Sequence, residues 1–185
     1  GLAKKGKKIL FIEPPVTPRR YAKVFRNFYS VQANIFIYTP VGPSIFKNKP
    51  LFSVEHYFTS SIKRVIDKYA FSNPVLLLSR PEGVALLGRL DEKLVCYDCL
   101  DDFSSLPGTD SEIVDSKENE LLEKADLVFA TSKGLYNKCF SVNPNTFLIP
   151  NAVDMENFGG NSATDNIMPD ELKIIPKPII GYVGC

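Results

Sequence analysis

The chain has a single histidine, His56, and four cysteines, Cys96, Cys99, Cys139 and Cys185, a supply without the paired spacing of the common zinc sites. Cys96 and Cys99 form a C-x-x-C, but there is no second pair to complete a zinc site. The pair lies at the end of an apolar run read as a strand, where alternation points the two thiols to opposite faces. The start carries no signal-like segment, so the expectation is a cytoplasmic protein with reduced thiols. Long apolar runs are missing as well: Val75-Leu76-Leu77-Leu78 is as extended as they become, whereas crossing a bilayer takes about 20 residues. No G-x-G-x-x-G, P-loop, G-x-S-x-G or H-E-x-x-H is found, which excludes several common enzyme classes. Internal repeats and low-complexity stretches are absent too.

What remains is ordinary globular composition, 44% hydrophobic and 23% charged over 185 residues, enough chain for one core. A net charge of +1 gives no global reason to expect nucleic acid. The charge is unevenly placed. Residues 1–26 hold eight Lys or Arg against Glu13, and residues 101–126 hold nine Asp or Glu against Lys117 and Lys124. A solvated face explains such a basic start, and so does peripheral contact with an anionic membrane or a phosphate-bearing substrate.

Short apolar runs alternate with amphipathic stretches, the pattern of a mostly parallel sheet covered by helices. Strands are predicted at Lys8–Glu13, Asn34–Tyr38, Pro74–Ser79, Leu94–Asp98, Asp126–Ala130 and Thr146–Ile149. Val54, Phe58, Ile62, Val65, Ile66 and Tyr69 recur at helical spacing, with Ser53 placed to cap the first turn. Ser79-Arg80-Pro81-Glu82 has capping-box spacing and predicts a short helix to about Leu90. Residues 111–125 predict a helix with Ile113, Val114, Leu121, Leu122 and Ala125 as its buried stripe. Thr131 and Ser132 sit at the cap of another, whose apolar face is Leu135, Tyr136, Cys139 and Phe140. Prolines make residues 39–53 a long loop.

In such sheets ligands gather beyond the carboxyl ends of the strands. The polar residues expected there are Glu13, Ser79, Arg80, Asp98, Asp101, Asp102, Thr131, Ser132, Lys133 and Asn151. Asp101-Asp102 is the catalytic candidate, because adjacent carboxylates can divide two tasks, one orienting a hydroxyl and the other fixing the loop. An aspartate-rich turn capping the next helix is the competing reading. Arg80 and Lys133 at helix starts suit anionic groups. His56, near the start of an amphipathic helix, reads as exposed or capping.

Three stretches in order, Val95–Phe103, Ala125–Ser132 and Ile149–Asp154, resemble retaining bacterial glycosyltransferases of family 4, in particular those of teichuronic-acid and other surface-polysaccharide synthesis. The resemblance implies a Rossmann-like three-layer α/β domain with a mostly parallel sheet, one half of a GT-B fold. Residues 1–156 would be the acceptor-side domain, 157–176 a linker and 177–185 the start of the nucleotide-sugar domain. Leu2–Lys8 resembles the end of that fold's first helix, which would leave its first strand outside the chain. Relatives place a histidine and an aspartate in the loop held here by Asp101 and Asp102, so Asp101 replaces the histidine. Ser132 matches a serine facing the interdomain cleft. Asn151 matches the asparagine of an Asn-Gly-Val-Asp connection in which Ala152 replaces glycine. With Glu13, Arg80 and Lys133, these residues make the expected substrate-binding set.

The implied substrates are a nucleotide sugar and a glycan or lipid-linked acceptor, with no obligatory metal or other cofactor and no nucleic acid. The implied location is the cytoplasm or the inner face of the membrane. A non-catalytic Rossmann-like binding domain and a sugar-nucleotide epimerase of the same fold are the alternatives.

Overall fold

The computed structural model describes residues 2–16, 27–42, 51–153, 170–176 and 178. After a 3-10 turn, Leu2–Lys5, the strands are β1 (Ile9–Ile12), β2 (Phe28–Gln32), β3 (Ile35–Tyr38), β4 (Val75–Leu78), β5 (Leu94–Cys99), β6 (Leu127–Ala130) and β7 (Thr146–Leu148). The helices are α1 (Leu51–Lys68), α2 (Ser111–Lys124) and α3 (Lys133–Phe140). A compact unit runs from Gly1 to Pro150. In Asn151–Cys185, the second unit, the described residues include one helical turn, Asp170–Lys173. The expected linker and final strand fall mostly outside the described residues, as does most of the proline-rich loop.

β4, β5, β6 and β7 lie side by side in that order, every pair parallel. A second sheet has the order β1-β3-β2, with β1 parallel to β3 and β2 antiparallel to it. The mostly parallel α/β architecture expected from the alternating runs is present, and it is Rossmann-like. Parallel neighbours need crossovers: the 3-10 turn Pro81–Leu86 lies between β4 and β5, α2 between β5 and β6, and α3 between β6 and β7, while α1 leads from the first sheet to the second.

One alternating set of strand residues, Leu76, Leu78, Val95, Tyr97, Cys99 and Val128, packs with Ile62 and Ile66 of α1, Leu121 and Leu122 of α2 and Cys139 of α3. The opposite face of the strands carries Leu77 at 61% and Phe147 at 51% exposure. The buried residues stabilise the unit by roughly 1.5–3 kcal/mol per fully covered large side chain.

Several local expectations change. Pro81–Leu86 is a 3-10 turn that stops well before Leu90, without a side-chain cap at Arg80. The glutamate that would close a capping box, Glu82, instead pairs with Arg80 at 3.2 Å. α1 begins at Leu51, ahead of Ser53. Ile113 is 53% exposed, and Glu118 takes the buried place on α2 that the periodicity gave to an apolar residue. Phe140, expected on the apolar face of α3, is also exposed.

Asp110 caps α2, its carboxylate accepting from Ile113 N–H at 3.3 Å. Asp110→Ala is expected to cost about 1 kcal/mol, read as a fall of about 2–4 °C in the thermal midpoint.

Candidate functional site

The carboxyl ends of β4, β5 and β6 form one continuous rim, tied together by contacts between consecutive exits. Beyond β4, the Arg80 guanidinium lies 5.0 Å from the ring centroid of Phe103, which follows β5. Beyond β6, Thr131 Oγ1 donates to the Leu100 carbonyl at 3.0 Å, and Thr131 N–H donates to the Cys99 carbonyl at 3.4 Å. Ser132 adjoins Thr131 and caps α3, its hydroxyl accepting from Leu135 N–H at 3.3 Å. Lys133, the first residue of α3, is exposed.

On this rim the two aspartates play different parts. Asp102 accepts from Ser104 Oγ at 3.1 Å, Ser105 Oγ at 2.6 Å and Lys138 Nζ at 3.1 Å. These hydroxyls and the ammonium hold its carboxyl below the ordinary aspartate range. No backbone N–H is capped by its side chain, so the turn-capping reading holds only in part: Asp102 fixes the loop through hydroxyls and a lysine. Asp101 is exposed. Among the described residues no hydrogen bond or ion pair engages its carboxylate. Asp101 is therefore the acidic group this loop offers to a ligand. Asp98, within β5 and three residues before Asp101, is half-buried, and burial raises its carboxyl above the usual value.

Beneath the loop lies a polar cluster that sequence periodicity does not reveal. Glu118, 1% exposed, accepts from Tyr97 Oη at 2.6 Å. Its Oε2 lies 2.8 Å from Lys138 Nζ, which also reaches Asp102 at 3.1 Å and Asp115 at 3.5 Å. Burial disfavours the charge on Lys138, yet its pairing with the Glu118 and Asp102 carboxylates outweighs it and holds the ammonium above the ordinary lysine range. Burial, followed by the bond to Glu118, pushes the Tyr97 hydroxyl up so that it remains a donor. The Cys99 thiol donates to the Asp101 carbonyl at 3.9 Å and to Glu118 Oε1 at 3.8 Å, and the neighbouring Cys139 together with burial raises it above the ordinary thiol range. The C-x-x-C thus puts Cys99 into the core against α3.

The remaining expected residues belong to other elements. Glu13 follows β1 in the other sheet, where its carboxylate accepts from Thr39 Oγ1. Asn151 is exposed and begins the second unit. His56 is exposed on α1.

The depressed carboxyl of Asp102 has a consequence for stability. A group whose folded value is lowered contributes above its unfolded value, near 3.8, and loses that contribution as pH falls through the folded value. Urea midpoints of the native chain should therefore drop below about pH 4, and Asp102→Asn should flatten that drop. Identical pH profiles would show that the carboxylate is not held as described.

No family model and no curated protein sequence matches the chain. Among solved structures the chain is similar to a sucrose-phosphate synthase from Thermosynechococcus elongatus, at 16% identity and a TM-score of 0.57. The match covers 85% of this chain and 83% of that one. A likeness at that identity speaks for the fold, and the fold it supports is the Rossmann-like α/β arrangement that places Arg80, Asp101, Thr131 and Ser132 on one rim.

Proposed function

We propose that the chain is the acceptor-side half of a retaining glycosyltransferase of GT-B architecture, moving a sugar from a nucleotide donor to a glycan or lipid-linked acceptor. The observation that carries this reading is the rim itself, where parallel strand exits put a carboxylate with no partner among the described residues beside a helix start. The similarity in fold to a protein named a sucrose-phosphate synthase is in keeping with it.

In this reading Asp101 accepts a hydrogen bond from a sugar hydroxyl and orients it, while Asp102, locked by Ser104, Ser105 and Lys138, keeps the loop in place. Arg80, Lys133 and the start of α3 favour anionic parts of the substrate. Ser132 serves first as the cap of α3, and Asn151 belongs to the connection toward the nucleotide-sugar half. Stabilising the departing diphosphate falls to helix starts and cationic groups of that second domain, without an obligatory metal. The 185-residue chain alone should therefore show no transfer.

The test is product analysis with labelled nucleotide sugars, using the native full-length protein and the 185-residue chain in parallel. A glycosylated acceptor with retained anomeric configuration, from the full-length protein only, is the expected result. A free epimerised sugar nucleotide would replace this reading with an epimerase. Binding of a sugar without any turnover of the full-length protein would replace it with a non-catalytic domain.

A further inference from the structure

Cations from two segments meet in a groove of about 920 Å³ beside α1. Ser60, Arg64 and Lys68 form one row at helical spacing with Lys63 next to it, while Ile62 and Ile66 of the same helix face the core. Arg89 enters the groove from the turn ahead of β5. That turn is held in place from both sides. Lys63 pairs with Asp91 as well as with Asp67, which joins the turn to the helix, and Leu90 between Arg89 and Asp91 is fully buried in the core.

The charges in the groove do not cancel. Asp67 and Asp91 are both engaged by Lys63, and Glu92 accepts from the N–H groups of Gly88 and Leu90. Among the described residues no carboxylate pairs with Arg64, Lys68 or Arg89, and all three are exposed. Four cations thus face two carboxylates across the groove, a surplus of two. Complementing the carbonyl end of α1 accounts for Lys68, in its last turn. It does not account for Arg89, which comes from a different segment and opens on the same space.

We propose that this groove binds a small soluble molecule through a phosphate monoester. Such a group carries about two negative charges at neutral pH, the size of the surplus. Two guanidinium forks suit its oxygens, since each can donate two parallel hydrogen bonds, and the Lys68 ammonium adds a point charge. The volume leaves room for the organic body beside Ser60, within the usual range of about 300–1,000 Å³ for ligand pockets. Arg89 precedes β5 and Asp101 follows it, so the groove and the rim stand at opposite ends of that strand, about 20 Å long. The proposal does not depend on the chemistry at the Asp101 rim.

The experiment is an amide-shift titration of the 185-residue chain with glycerol 3-phosphate, with inorganic phosphate and glycerol as references, at constant ionic strength. Saturable shifts at Lys63–Lys68 and Gly88–Asp91 are expected from both phosphates and none from glycerol, with a dissociation constant of about 1 mM or below for glycerol 3-phosphate. Arg64→Gln and Arg89→Gln should each weaken binding about fivefold, the upper end for an exposed ion pair, whereas Lys173→Gln should leave it within about 1.5-fold. Circular dichroism checks that each variant is folded. No saturation below about 10 mM, shifts centred on the start of α3, or equal loss in all three variants would overturn the proposal. Sedimentation with phosphatidic-acid vesicles, without any response to the soluble phosphates, would overturn it in favour of a lipid headgroup.

Discussion

Lys138→Met should destabilise the chain by about 2–3 kcal/mol, far more than its position on a half-exposed helix face suggests. The reason is Glu118. Its side chain is 1% exposed, and Lys138 is the cation beside it, at 2.8 Å. Removing one partner of a fully buried pair typically costs about 3–5 kcal/mol because the other charge is left in a poor solvent. Lys138 is 36% exposed, and water screens part of the interaction, which brings the expected loss below that range. Glu118→Gln should be milder, about 1 kcal/mol, since an amide still accepts from Tyr97 and Lys138 keeps Asp102 and Asp115. Combining the two substitutions should recover much of the loss. Urea unfolding of the four proteins gives the coupling directly. A Lys138→Met variant as stable as the native chain would mean that Glu118 does not depend on the ammonium.

The second large effect concerns turnover. In the native full-length protein, Asp101→Ala is expected to lower the rate of sugar transfer about a hundredfold or more, the range for losing a positioned acid–base or hydrogen-bonding group. Protein stability should hardly change, because the Asp101 carboxylate is exposed and makes no bond to the described residues. Asp102→Ala should do the reverse in part: it frees Ser104, Ser105 and Lys138, lowers stability, and reduces turnover only through loosening of the loop. Initial rates and urea midpoints on both variants separate these roles. Unchanged rates for Asp101→Ala would remove it from the chemistry and favour a non-catalytic domain.

The parallel sheet was legible because its strands are continuous apolar runs, Val75–Leu78 and Leu127–Ala130, although only one alternating set of each is fully buried. β2 was missed for the opposite reason. Phe28-Tyr29-Ser30-Val31-Gln32 is an antiparallel edge strand with exposed polar residues, and its evidence is its pairing with β3. The turn after β4 was misjudged because Arg80 and Glu82 have capping-box spacing yet satisfy each other. Gly88, at a positive φ of 69°, then turns the chain where a longer helix was expected.

For the site, residue type and strand end sufficed to gather Arg80, Asp101, Thr131 and Ser132. They did not divide Asp101 from Asp102. That division depends on Lys138, 36 residues further on, and through it on Glu118, a charged residue where a helical period calls for an apolar one. Only the packing of α2 against β5 and α3 makes a buried glutamate tolerable there. Nor does spacing say that Cys99 meets Cys139 rather than Cys96.

Whether the loop after β5 receives a sugar can be read from amide shifts of the assigned 185-residue chain titrated with a panel of mono- and disaccharides. Saturable perturbations confined to Leu100–Ser105 and Thr131–Gly134, and abolished by Asp101→Ala, are the expected result. Perturbations centred on α1 or on the amino ends of the strands, with the Asp101 loop unmoved, would contradict it.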